Sequence, residues 1–233
     1  MAETFVSGAP LTEQAYRKIR AMILHQELRP GERTSVAELV GATGLGREPV
    51  KSAMGRLAVE KLLAMRGRSG TRVAKLEPHQ ISQLFEMRRL YEEAAAPLIA
   101  ERVTDEQIDA INELLPGLSE LGAKGEDERF GNNIVMFIDL DVAFHKRVML
   151  GANNPYLLDH YSSLNLHLLI SHYLFLDRGF HTGQRHREHE EIAAAIEDRE
   201  AEAISAALGR HAQAIEGVIL ATMHQTRSTP TKV

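Results

Sequence analysis

The sequence contains no cysteine among its 233 residues, so disulfide bonds and thiolate metal ligands are excluded. It also lacks any run approaching the ~20 apolar residues of a membrane-spanning helix. Residues 1–10 have neither the basic nor the apolar region of a signal peptide. An apolar content of 44% nevertheless suits a protein with a full hydrophobic core. We therefore expect a globular protein of the cytoplasm, away from the membrane, with residues 1–10 disordered.

Charge is distributed unevenly along the chain, although its formal sum is only −5. Residues 11–75 hold 13 Lys+Arg and 6 Asp+Glu, whereas residues 76–233 hold 14 and 25. A short basic segment joined to an acidic one suggests that only the first part meets a polyanion such as nucleic acid. Chance segregation of surface charge would give the same split.

The basic segment has the pattern of a winged helix-turn-helix. Apolar residues recur at helical spacing, and Pro and Gly mark the ends of helices and the starts of turns. Pro49 falls in the first turn of the third helix, where proline is tolerated. The predicted elements are a first helix beginning near residue 11, which Thr12 could cap and which ends at residues 28–31, and a helix over 36–42 capped by Ser35. A turn over 43–46, a helix from Arg47, and strands over 64–66 and 71–73 around a basic tip follow.

The third of these helices is the predicted DNA-reading element. An α-helix fits the major groove, and the N-terminal residues of a recognition helix face the base edges. Arg47 can contact guanine through two hydrogen bonds, and Lys51 can contact a base or a phosphate. The alternative is a solvated basic helix and hairpin in a protein-interaction module. The predicted DNA contacts are Arg33, Arg47, Glu48, Lys51, Arg56, Arg68, Ser69, Gly70 and Arg72.

Beyond a linker at residues 76–78, the sequence carries only helical signals. Thr104 is the predicted N-cap of the second of these helices, and the Gly-rich, charged segment 121–132 is a predicted loop. We expect an all-helical domain over residues 79–224 and a tail over 225–233. The later predicted helices are 133–150, 156–176, 185–197 and 199–223.

Four residues of this helical part could hold a metal ion. Asp141 and His145 are four residues apart, on one face of a helix. His189 and His211 lie on either side of a predicted helix boundary at 197–200, so antiparallel packing could bring both rings near one point. One carboxylate and three imidazoles suit Zn²⁺, Ni²⁺, Fe²⁺ or Mn²⁺. The alternative is a structural hydrogen bond between Asp141 and His145, with no metal.

At residues 12–75 the chain resembles the DNA-binding domain of GntR-type bacterial regulators. Five positions depart from the usual family residues. The family usually has Ser or Thr at Gly46, Arg at Lys51, Glu at Ser52 and Gly at Lys61, and often has a basic residue where Ala37 stands. These departures leave DNA binding in place, but the family's operator sequence cannot be transferred. The resemblance is carried by Leu28-Arg29-Pro30-Gly31, Glu38-Leu39, residues 44–51, residues 57–63 and Arg68-Ser69-Gly70-Thr71-Arg72-Val73.

Residues 79–223 resemble the FCD ligand-sensing domain, through residues 84–95, 141–145, 188–192 and 210–211. The resemblance implies that Asp141, His145, His189 and His211 are the metal ligands, that a small carboxylate effector binds beside the metal, and that the protein is a homodimer. It also matches Arg88 to an arginine that often lines the effector pocket. A surface salt bridge with Glu92 is the alternative for Arg88.

The sequence therefore predicts a mainly α protein that is not an enzyme. Its predicted function is that of a ligand-responsive transcriptional regulator, a repressor of a palindromic operator, with Zn²⁺ as the first choice of metal. Two alternatives remain. One is a metal-dependent hydrolase with an accessory DNA-binding domain, in which Glu188 or Glu190 acts as base. The other is a constitutive helix-turn-helix adaptor without metal.

Overall fold

The computed structural model describes residues 9–65, 70–127, 133–164 and 182–228. The chain forms two compact units, Met1–Lys75 and Leu76–Val233. Residues 1–8 of the segment predicted to be disordered lie outside the described residues. None of the helices in these ranges combines the length and apolarity that crossing a bilayer requires.

The first unit is the predicted helix-turn-helix. The Ser35 hydroxyl accepts a hydrogen bond from the Glu38 backbone N–H and so caps the second helix. Gly44 ends that helix with φ +69°, a left-handed conformation that glycine adopts without a steric penalty. The helices are α1 (Leu11–Leu24), α2 (Val36–Thr43) and α3 (Arg47–Val59), and the strands are β1 (Arg33–Thr34), β2 (Leu63–Met65) and β3 (Thr71–Val73).

The wing has three strands, in the antiparallel order β1-β3-β2. Arg33 pairs with Arg72, and Leu63 pairs with Val73. The strand β1 was missed because two residues are too short to show alternating polarity. At the predicted tip, Arg68 and Ser69 lie outside the described residues, whereas Gly70 is exposed.

The regular secondary structure in the described ranges of the second unit is all helical. Thr104 caps the second helix by accepting a hydrogen bond from the Gln107 backbone N–H, as predicted. The long first helix packs along the last one, and the helix before the last packs against both the last helix and the third one. The helices are α4 (Pro78–Arg102), α5 (Asp105–Asn112), α6 (Leu115–Asp127), α7 (Asn133–Leu150), α8 (Pro155–Ser163), α9 (Thr182–Glu197) and α10 (Ala201–Ser228).

Three predicted boundaries were wrong. Pro78 is the first residue of α4 rather than part of a linker, because proline fits the first turn of a helix. The predicted loop over 121–132 is helical as far as Asp127, where buried Leu121 anchors the helix to the core. The predicted tail over 225–233 is still helical up to Ser228. The predicted helix 156–176 corresponds to α8, and residues 165–181 lie outside the described residues.

The core of the second unit contains ionisable side chains among its aliphatic and aromatic ones. Arg88 and Glu92 come from α4, and three histidines come from α7, α9 and α10. Each is at most 2% exposed. Burying charged or polar groups is costly unless they are paired, hydrogen-bonded or bound to a metal. This group of buried residues is therefore the candidate functional site of the second unit.

Candidate metal centre and nucleic-acid interface

His145, His189 and His211 meet inside the second unit. One ligand nitrogen from each ring lies within 4.8 Å of the others. The Nε2 atoms of His145 and His211 are 3.1 Å apart, and the His189 ring centroid is 4.8 Å from that of His211. The turn between α9 and α10 brings His189 and His211 together, and α7 supplies His145 from the other side.

Asp141 lies one helical turn before His145 and reaches the same point. Its Oδ1 is 3.4 Å from Nε2 of His189 and 3.9 Å from Nε2 of His145. The structure thus brings together all four predicted ligands. The Asp141 side chain is 19% exposed, whereas the three imidazoles are buried, so the carboxylate lies on the more open side.

The residues fit a transition-metal ion. Neither ring nitrogen of buried His189 has a hydrogen-bond partner among the described residues, an arrangement that metal ligation would satisfy. Two nitrogens bound at about 2.1 Å to one ion, at angles between right and tetrahedral, lie roughly 3.0–3.4 Å apart. The separation of 3.1 Å between Nε2 of His145 and Nε2 of His211 matches that range. Three imidazoles and one carboxylate are a donor set for Zn²⁺ and its neighbours.

Glu188 contacts the outer side of the histidine cluster through His211. Its Oε2 is 2.9 Å from Nδ1 of His211, the nitrogen that faces away from the cluster. A carboxylate in this place fixes the ring orientation and leaves Nε2 as the lone-pair nitrogen. The hydrolase alternative assigned Glu188 to a base, but its hydrogen bond is directed to His211. The sequence pointed to the role of Glu188 in orienting His211 only through its position next to His189.

Arg88 is not on the surface. It is fully buried, its Nε donates to Glu92 Oε1 at 2.8 Å, and its Nη2 is 3.4 Å from Nδ1 of His145. Burial alone would lower the pKa of Arg88, but the Glu92 carboxylate more than offsets it and the pKa is raised. The ion pair with Glu92 exists, but it is buried in the core rather than on the surface, and it places the guanidinium beside the histidines.

Tyr161 of α8 completes this network. Its hydroxyl donates to Glu92 Oε1 at 3.0 Å. Burial and the Glu92 carboxylate raise the pKa of Tyr161 well above its usual value, so the hydroxyl stays a donor. Nothing in the sequence pattern singled out Tyr161, and Glu92 was named only as a possible salt-bridge partner of Arg88. Among the other histidines, His186 pairs with Glu190 at 3.0 Å, while His167, His172 and His181 lie outside the described residues.

The nucleic-acid interface centres on the start of α3. Arg47, Glu48 and Lys51 are exposed there, while the opposite face of the helix is buried in the unit. Gly46 precedes the helix as its N-cap, so the exposed side chains begin at its first turn. Arg33 and Arg72 are exposed neighbours on the adjacent strands, and Arg72 donates to the Gly31 carbonyl at 2.9 Å.

Arg56 is also on α3, but its guanidinium is engaged within the unit. It lies 3.6 Å over the ring of Tyr16 and pairs with Glu13 and Glu60 at 2.9 and 3.1 Å. Tyr16 in turn donates to Glu60 at 2.8 Å, and burial together with this bond raises its pKa to about 12. The predicted phosphate contact of Arg56 therefore competes with a structural role.

Comparison with known proteins matches both units. Residues 11–73 match the model of bacterial regulatory proteins of the gntR family, and residues 83–214 match the FCD domain. The chain is 26% identical to the Nta operon transcriptional regulator of Aminobacter aminovorans, over 82% of this chain and 86% of that protein. It is 25% identical to the HTH-type transcriptional repressor RspR of Escherichia coli K12, over 88% and 87%.

Among solved structures, E. coli McbR/YncC superposes with a TM-score of 0.70 at 19% identity, covering 94% of this chain and all of that one. This likeness confirms the mainly helical fold with its helix-turn-helix. The family models and the curated relatives describe transcriptional regulators rather than enzymes, which confirms that prediction as well. The chain belongs to the gntR family of bacterial regulatory proteins and, with an FCD domain behind its helix-turn-helix, is a DNA-binding transcriptional regulator.

Proposed function

We propose that this regulator is a cytoplasmic repressor whose second unit senses a small carboxylate at a metal centre. The observation that carries the proposal is the cluster of three buried histidines with Asp141, next to a buried arginine. Asp141, His145, His189 and His211 would hold the ion, with Zn²⁺ preferred and Ni²⁺, Fe²⁺ or Mn²⁺ as alternatives. Such an ion, when bound, attracts a carboxylate oxygen as a Lewis acid.

Arg88 would hold the other end of the effector carboxylate. Its Nη1 is buried and has no hydrogen-bond partner among the described residues, while Nε and Nη2 are directed to Glu92 and His145. Hydrogen bonds from a guanidinium to a carboxylate are charge-assisted and directional. Together, a cation and this donor favour an anionic ligand over a neutral one.

The DNA contacts follow from the exposed basic residues of the first unit. Arg47, Glu48 and Lys51 would face base edges in the major groove. A homodimer would present two such helices to a palindromic operator, and effector binding would alter their spacing. The repressor role is supported by the name of the relative RspR, an HTH-type transcriptional repressor. The wing and helix residues proposed to contact the backbone are Arg33, Arg56, Arg68, Ser69, Gly70 and Arg72.

A footprint of the full chain on its own upstream DNA tests the first half of the proposal. We expect protection of a short palindrome at low salt, lost progressively as salt rises because counterions are released on binding. No protection at low salt would contradict it.

The proposed sensing of a carboxylate at the metal centre is tested by thermal shift with acetate, propionate and succinate, each with Zn²⁺ or with a chelator. Carboxylate-dependent shifts should need the metal and vanish in His145→Ala, while His160→Ala, at an exposed position outside the cluster, behaves as wild type.

A further inference from the structure

We infer that Glu13 competes with DNA phosphate groups for Arg56 and thereby weakens the sequence-independent binding of the first unit to DNA. This inference rests on the proposed DNA-facing surface of α3, but it depends on neither the metal nor the effector. It goes beyond the proposed function by giving an acidic residue control over DNA affinity. The feature that carries it is a network of four charged side chains that joins α1 to α3.

Arg56 lies on an exposed face of α3 that continues from the reading residues. Glu48, Ser52 and Arg56 follow one another at intervals of four residues, and all three are exposed. Side chains at this spacing share one face of a helix. The rise from Glu48 to Arg56 is about 12 Å, close to the width of the major groove. With Glu48 at the base edges, Arg56 therefore comes level with the phosphates at the edge of the groove.

Two carboxylates hold the Arg56 guanidinium in the free protein. Glu13 Oε2 accepts from Arg56 Nη1 at 2.9 Å, and Glu60 Oε1 accepts from Arg56 Nε at 3.1 Å. Arginine binds phosphate most strongly through a fork of two parallel N–H donors, formed either by both Nη atoms or by Nε and one Nη. Since Nη1 and Nε are each engaged, neither fork has both of its donors available to DNA.

Glu13, rather than Glu60, is the partner that a phosphate would displace. Glu60 is held by a second donor, the Tyr16 hydroxyl at 2.8 Å, and its side chain is only 18% exposed. Glu13 is 28% exposed, and its other oxygen accepts from Arg17 Nε at 2.8 Å. That hydrogen bond with Arg17 lowers the pKa of Glu13, so the carboxylate stays ionised. Glu13 therefore competes as an anion, and it keeps a cation as partner when Arg56 leaves.

The network removes positive charge from a unit that is otherwise basic. Its two arginines and two glutamates sum to no net charge, and these glutamates are two of the six acidic residues in the segment 11–75. Phosphate contacts carry no sequence information, so a released Arg56 would tighten binding to every DNA sequence alike. Glu13 thus limits affinity, whereas the residues at the start of α3 determine which sequence is preferred.

Fluorescence anisotropy of the full chain on a labelled random-sequence duplex, at several salt concentrations, tests the inference. We expect Glu13→Gln to bind about two- to fivefold more tightly at low salt, the effect of losing one exposed competing ion pair. The slope of log affinity against log salt should become steeper by about one, because one more phosphate is neutralised. Glu27→Gln, which removes the same charge at another exposed position of the unit, is the matched control and should leave the slope unchanged.

A slope that stays the same in Glu13→Gln would overturn the inference and leave the proposed DNA-facing surface standing. So would an equal change in Glu27→Gln, since the effect would then belong to net charge. A wild-type protein that does not bind the random duplex at low salt would contradict both the proposed DNA-facing surface and this inference.

A double substitution assigns the effect to Arg56. Arg56→Gln should weaken binding much more in the Glu13→Gln background than in the wild type, because only there is the guanidinium free to contact phosphate. A gain in affinity that persists in the double variant would overturn the inference. If Arg56→Gln does not fold, the comparison of Glu13→Gln with Glu27→Gln decides the question.

Discussion

Replacing His189 with leucine should change the stability of the protein in opposite directions with and without metal. His189 is completely buried, its ring centroid is 4.6 Å from that of Phe144, and neither ring nitrogen has a hydrogen-bond partner among the described residues. Leaving a buried polar atom unsatisfied costs about 1–3 kcal/mol. A leucine removes that cost and fills most of the same space with apolar atoms.

In the presence of a chelator we therefore expect His189→Leu to unfold with a free energy equal to that of the wild type or about 1–3 kcal/mol higher. With Zn²⁺ at about 100 times its Kd, the wild type should gain ~2.7 kcal/mol from ligand binding to the native state. The variant lacks one of the four proposed ligands and should gain little. The order of stability thus reverses between the two conditions.

Urea unfolding followed by circular dichroism, with EDTA or with buffered Zn²⁺, measures both numbers. His160→Leu is the control, because His160 is exposed and outside the cluster. A His189→Leu protein that is equally destabilised in both conditions would refute the reasoning, since His189 would then be a packing residue. So would a variant that keeps the full gain from Zn²⁺.

Four further predictions concern other parts of the chain. Glu188→Gln should lower metal affinity about tenfold in competition with a chromogenic chelator, because His211 loses its charged partner; Glu190→Gln should not. Lys61→Gly should raise the free energy of unfolding by about 1 kcal/mol, because Lys61 has φ +62°; Lys61→Ala, measured by the same urea unfolding, should give no such gain. Arg47→Ala should weaken operator binding by about 1–3 kcal/mol in fluorescence anisotropy while non-specific binding changes little; an equal loss on both DNAs would rule out base reading. Since the pKa of Tyr16 is raised to about 12, its contribution to stability is present below about pH 10 and is lost as the pH rises to about 12; the stability difference from Tyr16→Phe should shrink over that window.

Local signals made the helix-turn-helix predictable. Ser35 caps α2, Gly44 ends it and Pro49 fits the first turn of α3, and each of these effects acts within a few residues. The meeting of Asp141 with the three histidines was predictable for a related reason. Asp141 and His145 share one helix face, and the short turn after α9 makes the separation of His189 and His211 a matter of helix geometry.

What the sequence could not provide depends on contacts between distant segments. Arg88 and Glu92 are four apart, a spacing that also describes countless surface ion pairs, and only the packing of α7 and α8 against α4 makes them part of the core. Tyr161 reaches Glu92 across 69 residues of sequence. The last part of α6, residues 121–127, was predicted to be a loop because its glycines and charges outweighed the anchoring effect of Leu121, which only tertiary burial reveals.

The contacts of Arg56 within the first unit bear on how this unit could be joined to other proteins. Its contacts with Tyr16 and Glu13 fasten the DNA-reading helix to α1, so the reading surface is stiffened from within its own unit. The first unit should therefore keep its DNA sequence preference when it is separated from the second unit. Residues 1–75, fused to a foreign sensor, would carry the same operator preference to a new signal, and a foreign reader on residues 76–233 would answer the same effector at a different promoter.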